Sequence, residues 1–212
     1  MNPKFDPKHF DAIIFDLGGV LLNIDYQLSK CSFEKLGIQD FDLHFSQLAQ
    51  SHLFDNFEKG TISAQDFRVA LKKEGGLDCN DSEIDQAWNA MLLDFPIHRI
   101  DFLKSLSSKL PLFLFSNTNE IHIHEFTRRM KHEQLLSRFS NSFEKIYYSF
   151  QLGQRKPEPH GFIHILEENG LKASNTLFID DSEQHVEGAR KVGIQSVLLK
   201  PNLDVIELFN HE

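Results

Sequence analysis

Two cysteines and one tryptophan are all that a 212-residue chain holds of those types, and no apolar run approaches the length that crosses a membrane. Cys31 and Cys79 form no metal-binding or redox motif. Basic residues are in deficit: 22 Lys and Arg against 31 Asp and Glu give a formal net charge of -9. That balance argues against broad nucleic-acid binding and against docking on an anionic membrane. It leaves room for an anionic small molecule only where positive charge is concentrated locally. Met1 to Asp11 has no apolar signal core. The 11 histidines show no zinc spacing, and there are no repeats or low-complexity segments. These absences point to a reduced, cytoplasmic protein with no nucleic-acid and no membrane partner.

What is present is a core. Hydrophobic residues make up 41% of the chain, and phenylalanine is frequent, with 20 copies expected to fill an interior. The length suits one domain, or one domain with a small insert. Four short apolar segments read as buried strands: Ala12–Phe15, Leu112–Phe115, Thr176–Ile179 and Gln195–Leu199. A fifth, Lys145–Tyr148, is weaker, and Tyr147–Gln151 reads as its polar-ended continuation. Between them lie helical stretches, Pro157–Asn169 before Gly170 and Ser182–Val192 before Gly193. Strands alternating with helices predict a doubly wound parallel α/β sheet.

One stretch breaks the alternation. From about Tyr26 to Leu93 no strand signal appears, and helical patterns are interrupted at Gly37, at Gly60-Thr61-Ile62-Ser63 and at Gly75-Gly76. Ser63 is the expected N-cap of a helix through Leu71, and Asp81 or Ser82 starts another, carrying Ile84, Ala87, Trp88 and Met91 on one face. The expected organisation is a core of residues 1–23 and 96–212 with an all-helical insert over 24–95.

The strand ends carry the chemistry. Ala12–Phe15 runs into Asp16-Leu17-Gly18-Gly19, Leu112–Phe115 into Ser116-Asn117-Thr118-Asn119, and Thr176–Ile179 into Asp180-Asp181-Ser182. The fifth strand is followed by Gly153-Gln154-Arg155-Lys156-Pro157. In a parallel sheet these ends share one edge, the edge where ligands bind. The set suits phosphoryl transfer. Asp16 can be a nucleophile or metal ligand, and Asp180 and Asp181 can complete an oxygen site for Mg²⁺. Ser116 or Thr118 with nearby amides can hold phosphate oxygens, and Lys156 can offset the charge. Taken singly, each piece has a local explanation: strand-end cap, N-cap cluster, capped turn, solvated loop lysine. Their shared placement at strand ends favours the joint reading.

These four segments, Phe15 to Leu21, Phe115 to Asn119, Gly153 to Pro159 and Phe178 to Ser182, resemble the haloacid dehalogenase-like hydrolase superfamily over nearly the whole chain. The resemblance implies a Rossmann-like core and a small helical cap. Gly60-Thr61-Ile62-Ser63 and Trp88 are similar to cap features of the branch that includes a bacterial α-glucose-1-phosphate phosphatase. It further implies that Asp16 becomes an aspartyl phosphate and that Asp16, the Gly18 carbonyl and Asp181 hold Mg²⁺. Asp180 would be a ligand or a partner of one. Ser116, Asn117, Gly18 and Lys156 would surround the transferring phosphoryl group.

Gly18 departs from the pattern. Most phosphatases of the superfamily carry an Asp there as general acid and base. Losing that help, typically ~10²–10⁴-fold in rate, is tolerated when the leaving group is acidic. A sugar-1-phosphate is therefore the expected kind of substrate among small phosphorylated metabolites. A silent binding module remains an alternative, and dehalogenation through Asp16 is a weaker one because it needs no metal. Asp25 is a candidate replacement carboxylate, with capping of the next helix its other reading. His122 can reach the site mouth or lie on a helix surface, and Trp88 is expected to pack inside the insert.

Overall fold

The computed structural model describes residues 4–38, 41 and 52–209; residues 39, 40 and 42–51 of the expected insert, and 1–3 of the N-terminal stretch, lie outside the described residues. Five parallel strands form one sheet in the order β3-β2-β1-β4-β5. They are β1 (Ala12–Phe15), β2 (Leu112–Ser116), β3 (Lys145–Tyr148), β4 (Thr176–Asp180) and β5 (Gln195–Leu198). Every residue of β1, β2 and β4 is buried. A sheet covered on both faces leaves no solvent side, so its central strands read as unbroken apolar runs. The edge strands β3 and β5 are partly exposed, which weakens the pattern of β3.

Among the described residues the α-helices are α1 (Tyr26–Leu36), α2 (His52–Glu58), α3 (Ala64–Gly75), α4 (Asp81–Asn89), α5 (Ile97–Ser107), α6 (Glu120–His132), α7 (Leu136–Ser140), α8 (Ser149–Leu152), α9 (Pro159–Glu168) and α10 (Glu183–Lys191). Alternation along β1 divides the interior. Ile13 and Phe15 join the large cluster shared with α5, α6 and the helices after β1. Ala12 and Ile14 face Phe162 and Ile165 of α9 and Ala189 of α10. Tyr147–Gln151 is not a strand throughout: the chain leaves β3 at Tyr148 and turns into α8 at Ser149.

Between β1 and β2 the described elements are helical. Ser63 caps α3 with its hydroxyl accepting from the Asp66 amide at 3.1 Å, and α3 continues past Leu71 to Gly75. α4 starts at Asp81, as expected, with Asn80 as its N-cap. Asn80 and Glu83 exchange side-chain and backbone bonds at 3.0 and 2.8 Å. Met91 lies beyond the end of α4, although it is buried. The phenylalanines pack as expected. Phe33, Phe54 and Phe67 lie against Trp88, with Phe41 stacked on Phe33 and Phe57 stacked on Phe67 at 4.3 Å between ring centres. The chain leaves and returns as a paired ribbon: the Asn23 amide donates to Asp94 at 3.0 Å and the Leu93 amide back to Asn23 at 3.0 Å.

Candidate active site

The sheet register brings the distant carboxylates together. Phe15 pairs with Ile179, so one residue further along Asp180 stands beside Asp16. Lys156 reaches in between them, its Nζ 2.6 Å from Asp16 Oδ1 and 2.6 Å from Asp180 Oδ2. Its side chain is fully buried, with the ammonium 5.6 and 5.4 Å from the ring centres of Phe115 and Phe178. Burial alone would discharge Lys156, but Asp16 and Asp180 outweigh it and raise its pKa.

Asp16, Asp180 and Asp181 each offer an oxygen within 4.8 Å of the others. Two like charges ~4 Å apart repel by about 4 kcal/mol at an effective dielectric of 20. Burial, then Asp16 and Asp180, push Asp181 up to about 7. Burial also raises Asp16, with Lys156 opposing and Asp180 adding to the shift. Asp180 goes the other way: burial raises it, but Lys156 and His185 together hold it below the usual carboxylate range. The reason is its contacts. Asp180 Oδ1 accepts from the Ser182 amide at 2.8 Å and faces His185 Nδ1 at 3.0 Å, while Oδ2 takes Lys156. An all-oxygen donor set with more negative charge than one lysine balances is suited to a hard divalent cation. Gly19, with φ of 74°, is part of this packing: a Cβ there would fall 2.2 Å from Asp181 Oδ2.

The polar residues after β2 divide their tasks. Ser116, Asn117 and Thr118 all line the cavity above Asp16. The Asn117 side chain is bound to the backbone of Lys156, donating to its carbonyl at 2.8 Å and accepting from its amide at 2.9 Å. It therefore positions the lysine loop. Ser149 holds Thr118 from below, accepting from its amide at 2.9 Å and donating to its carbonyl at 3.0 Å. Asn119 caps α6 through the His122 amide at 3.0 Å.

The cavity measures about 80 Å³, and its walls come from both parts of the chain: Asp16, Gly18, Asp181 and His185 from the sheet edge, Tyr26 and Glu58 from the helices after β1. At ~30 Å³ per water it has room for two or three. Gly18 leaves no side chain there; a Cβ would meet Ile24 Cδ1 at 3.2 Å. Asp25 is absent from the lining and caps α1, accepting from the Gln27 amide at 2.9 Å. His122 is in the lining and His124 is not, as alternate faces of a helix require. Its ring stacks on Trp88 at 4.6 Å, meets Asn119 Nδ2 through Nδ1 at 3.2 Å and the Trp88 carbonyl through Nε2 at 3.2 Å. Burial pushes it down to about 4, so it is neutral. Trp88 is packing, as expected.

Three polar residues of the cavity wall, His185, Tyr26 and Glu58, lie outside the motif segments, and Arg155 lies inside one without an expected role. Arg155 donates from Nη1 to Asp55 at 3.0 Å and from Nη2 to Glu58 at 2.8 Å, pinning α2 to the lysine loop. Lys59 adds a bond to Glu158 at 2.6 Å. Only the position of Arg155 beside Lys156 hinted at such a contact.

Residues 13–199 match the family described as haloacid dehalogenase-like hydrolase. A D-ribitol-5-phosphate phosphatase of Bacteroides thetaiotaomicron is 29% identical over 189 residues, covering 87% of this chain and 89% of that protein. A sesquiterpene phosphatase of Aspergillus oryzae is 26% identical, covering 92% of each. Among solved structures, an enzyme of the same family from Bacteroides thetaiotaomicron, in complex with magnesium and inorganic phosphate, is 32% identical. It superimposes with a TM-score of 0.85 over 95% of this chain and all of that one. A HAD-like hydrolase structure from Porphyromonas gingivalis is 28% identical with a TM-score of 0.83, over 94% of this chain and 95% of that one.

Proposed function

This chain belongs to the haloacid dehalogenase-like hydrolases, and on that footing we propose that it is a Mg²⁺-dependent phosphatase of small phosphorylated sugars or polyols. The observation that carries the reading is Lys156 set between Asp16 and Asp180 with Asp181 alongside. Asp16 has one oxygen bound to Lys156, which leaves the other to attack phosphorus and form an aspartyl phosphate. Ser116 and the main chain of Asn117 hold the phosphoryl oxygens, with Lys156 and the Gly18 edge completing the cradle. Asp16, the Gly18 carbonyl and Asp181 would hold Mg²⁺. Asp180, with both oxygens engaged, orients Lys156 from behind. When bound, the ion supplies neutralisation of the transferring phosphoryl group. A relative solved with magnesium and phosphate supports this assignment.

The helices of residues 24–95 act as the cap. Their residues share the cavity with Asp16, and the paired ribbon at Asn23 and Asp94 is a natural hinge. The cavity of about 80 Å³ suits a phosphoryl group, and the wider cleft that shares Ile24, Tyr26 and Asp181 with it leaves room for the leaving group. On its own Gly18 favours an acidic leaving oxygen such as that of a sugar-1-phosphate. The relative named for ribitol 5-phosphate points to a primary alcohol. A panel of both classes, assayed for phosphate release with and without Mg²⁺, tests the proposal. Release that requires Mg²⁺ supports it, and inactivity on every ester would make the chain a binding module.

A further inference from the structure

Resting on the phosphatase reading, we propose that Arg155 is a specificity residue: its Nε–H donates to a hydroxyl oxygen of the leaving group, so the site selects esters of sugars and polyols over esters of plain alcohols. The observation that carries this is an unused donor. Arg155 lines the cavity with Asp16, and its side chain is only 15% exposed. Nη1 donates to Asp55 at 3.0 Å and Nη2 to Glu58 at 2.8 Å. Nε is buried and has no hydrogen-bond partner among the described residues. Buried polar groups are ordinarily paired, and a guanidinium can only donate. The missing partner is an acceptor, and the cavity is where a bound molecule brings one.

The place of Arg155 says which part of the ester supplies it. Asp16 attacks phosphorus in line with the departing oxygen, so the leaving group lies across the phosphoryl group from the sheet edge. Lys156 and Asp180 stand on the Asp16 side. Arg155 adjoins Lys156 in the chain, but its guanidinium is held by two residues of α2. It therefore borders the cavity from the α2 side, facing the leaving group and not the nucleophile.

The surrounding charges select a neutral acceptor. Asp55 and Glu58 already meet the guanidinium, and Lys59 bonds Asp55 at 3.1 Å and Glu158 at 2.6 Å. Two cations among three carboxylates leave no surplus positive charge for a second phosphate or a carboxylate on the leaving group. A hydroxyl oxygen accepts without bringing charge. With both Nη atoms held by α2, the plane of the fork is fixed, and so is the direction of Nε–H. A fixed buried donor of this kind rejects an analogue that lacks the matching hydroxyl, because the donor is then left unpaired.

The test is Arg155→Lys, which keeps a cation for Asp55 and Glu58 and removes the Nε donor. The substrates are esters paired by chain length, with Mg²⁺ present: ribitol 5-phosphate with pentyl phosphate, and glycerol phosphate with propyl phosphate. The wild-type chain should favour the hydroxylated member of each pair in kcat/KM by about 10–100-fold, the worth of one hydrogen bond to a charged group. The variant should bring both ratios close to one. Wild-type turnover without that preference overturns the proposal and leaves the phosphatase reading standing. A variant that keeps the preference, slowed equally on both members or not at all, overturns it too. Wild-type inactivity on every ester sinks the phosphatase reading and this proposal with it. If Arg155→Lys does not fold, the NMR signal of the Arg155 Nε–H is followed in Asp16→Asn, assigned through its own side chain. It should shift on adding ribitol 5-phosphate with Mg²⁺ and stay in place with pentyl phosphate. The same shift from both, or none from either, counts against the assignment.

Discussion

Arg155 and Glu58 lie on opposite sides of the seam between the lysine loop and α2, and their side chains meet at 2.8 Å with both largely shielded from water. Removing one partner from such a pair leaves an uncompensated charge, at a typical cost of ~3–5 kcal/mol when burial is complete. Glu58→Ala should lower Tm by several degrees, at about 2–4 °C per kcal/mol for a chain of this size. Arg155 keeps Asp55 at 3.0 Å, so the loss should fall below the full-burial figure. Arg155→Met combined with Glu58→Leu should recover part of it. A double variant as unstable as the sum of the singles would show that the pair is not coupled.

Asp16→Asn should abolish turnover and leave the fold intact. It removes one of three crowded carboxylates while Asp180 still holds Lys156, so thermal stability should be equal or higher. Activity near the parent level would end the covalent mechanism.

The stabilisation that Mg²⁺ confers should grow as pH rises through about 7. Metal-free Asp181 is pushed up to about 7, above the ordinary carboxylate value, so below that pH a proton competes with the cation. For the metal-free protein the raised pKa has the opposite sign: that contribution to stability is present at low pH and is lost as pH rises from about 4 to about 7. The difference in Tm with and without Mg²⁺, measured from pH 6 to 8, reads both effects. A constant difference would refute the assignment of Asp181 to the metal.

His122 should make the fold acid-sensitive. Its pKa falls from 6.5 to about 4 on burial, so below 6.5 the unfolded chain takes up a proton that the folded one refuses. Stability should therefore decline as pH falls from 6.5 to about 4, by on the order of 3 kcal/mol in all. His122→Asn should flatten Tm between pH 6.5 and 4.5 relative to the parent, whatever its absolute stability. Parallel profiles would assign the acid loss to other groups.

The sequence by itself determined the five strands, their alternation with helices and the chemistry at their ends. A strand buried on both faces must be apolar throughout, and a carboxylate closing such a run stands out against it, as Asp16 and Asp180 do. The helical stretch after β1 was legible for the same reason: its glycine stops and Ser63 are local signals, read within one turn of backbone. The start of α4 at Asp81 was read in the same way, while its cap, Asn80 one residue ahead, was not. Only the tertiary structure decided which groups touch. Lys156 binds a residue 140 positions before it and another 24 after it. No local pattern records that Asp180 is held by lysine and histidine while Asp181 carries the raised pKa. The bonds between the Asn117 side chain and the Lys156 backbone join positions 39 apart and have no local signature. Tyr26, Glu58 and Arg155 are ordinary helix and loop residues in sequence, and the packing of the helices after β1 against the sheet edge makes them part of the cavity wall. Charge and burial act through space, so their consequences for each carboxylate appear only when the chain has folded.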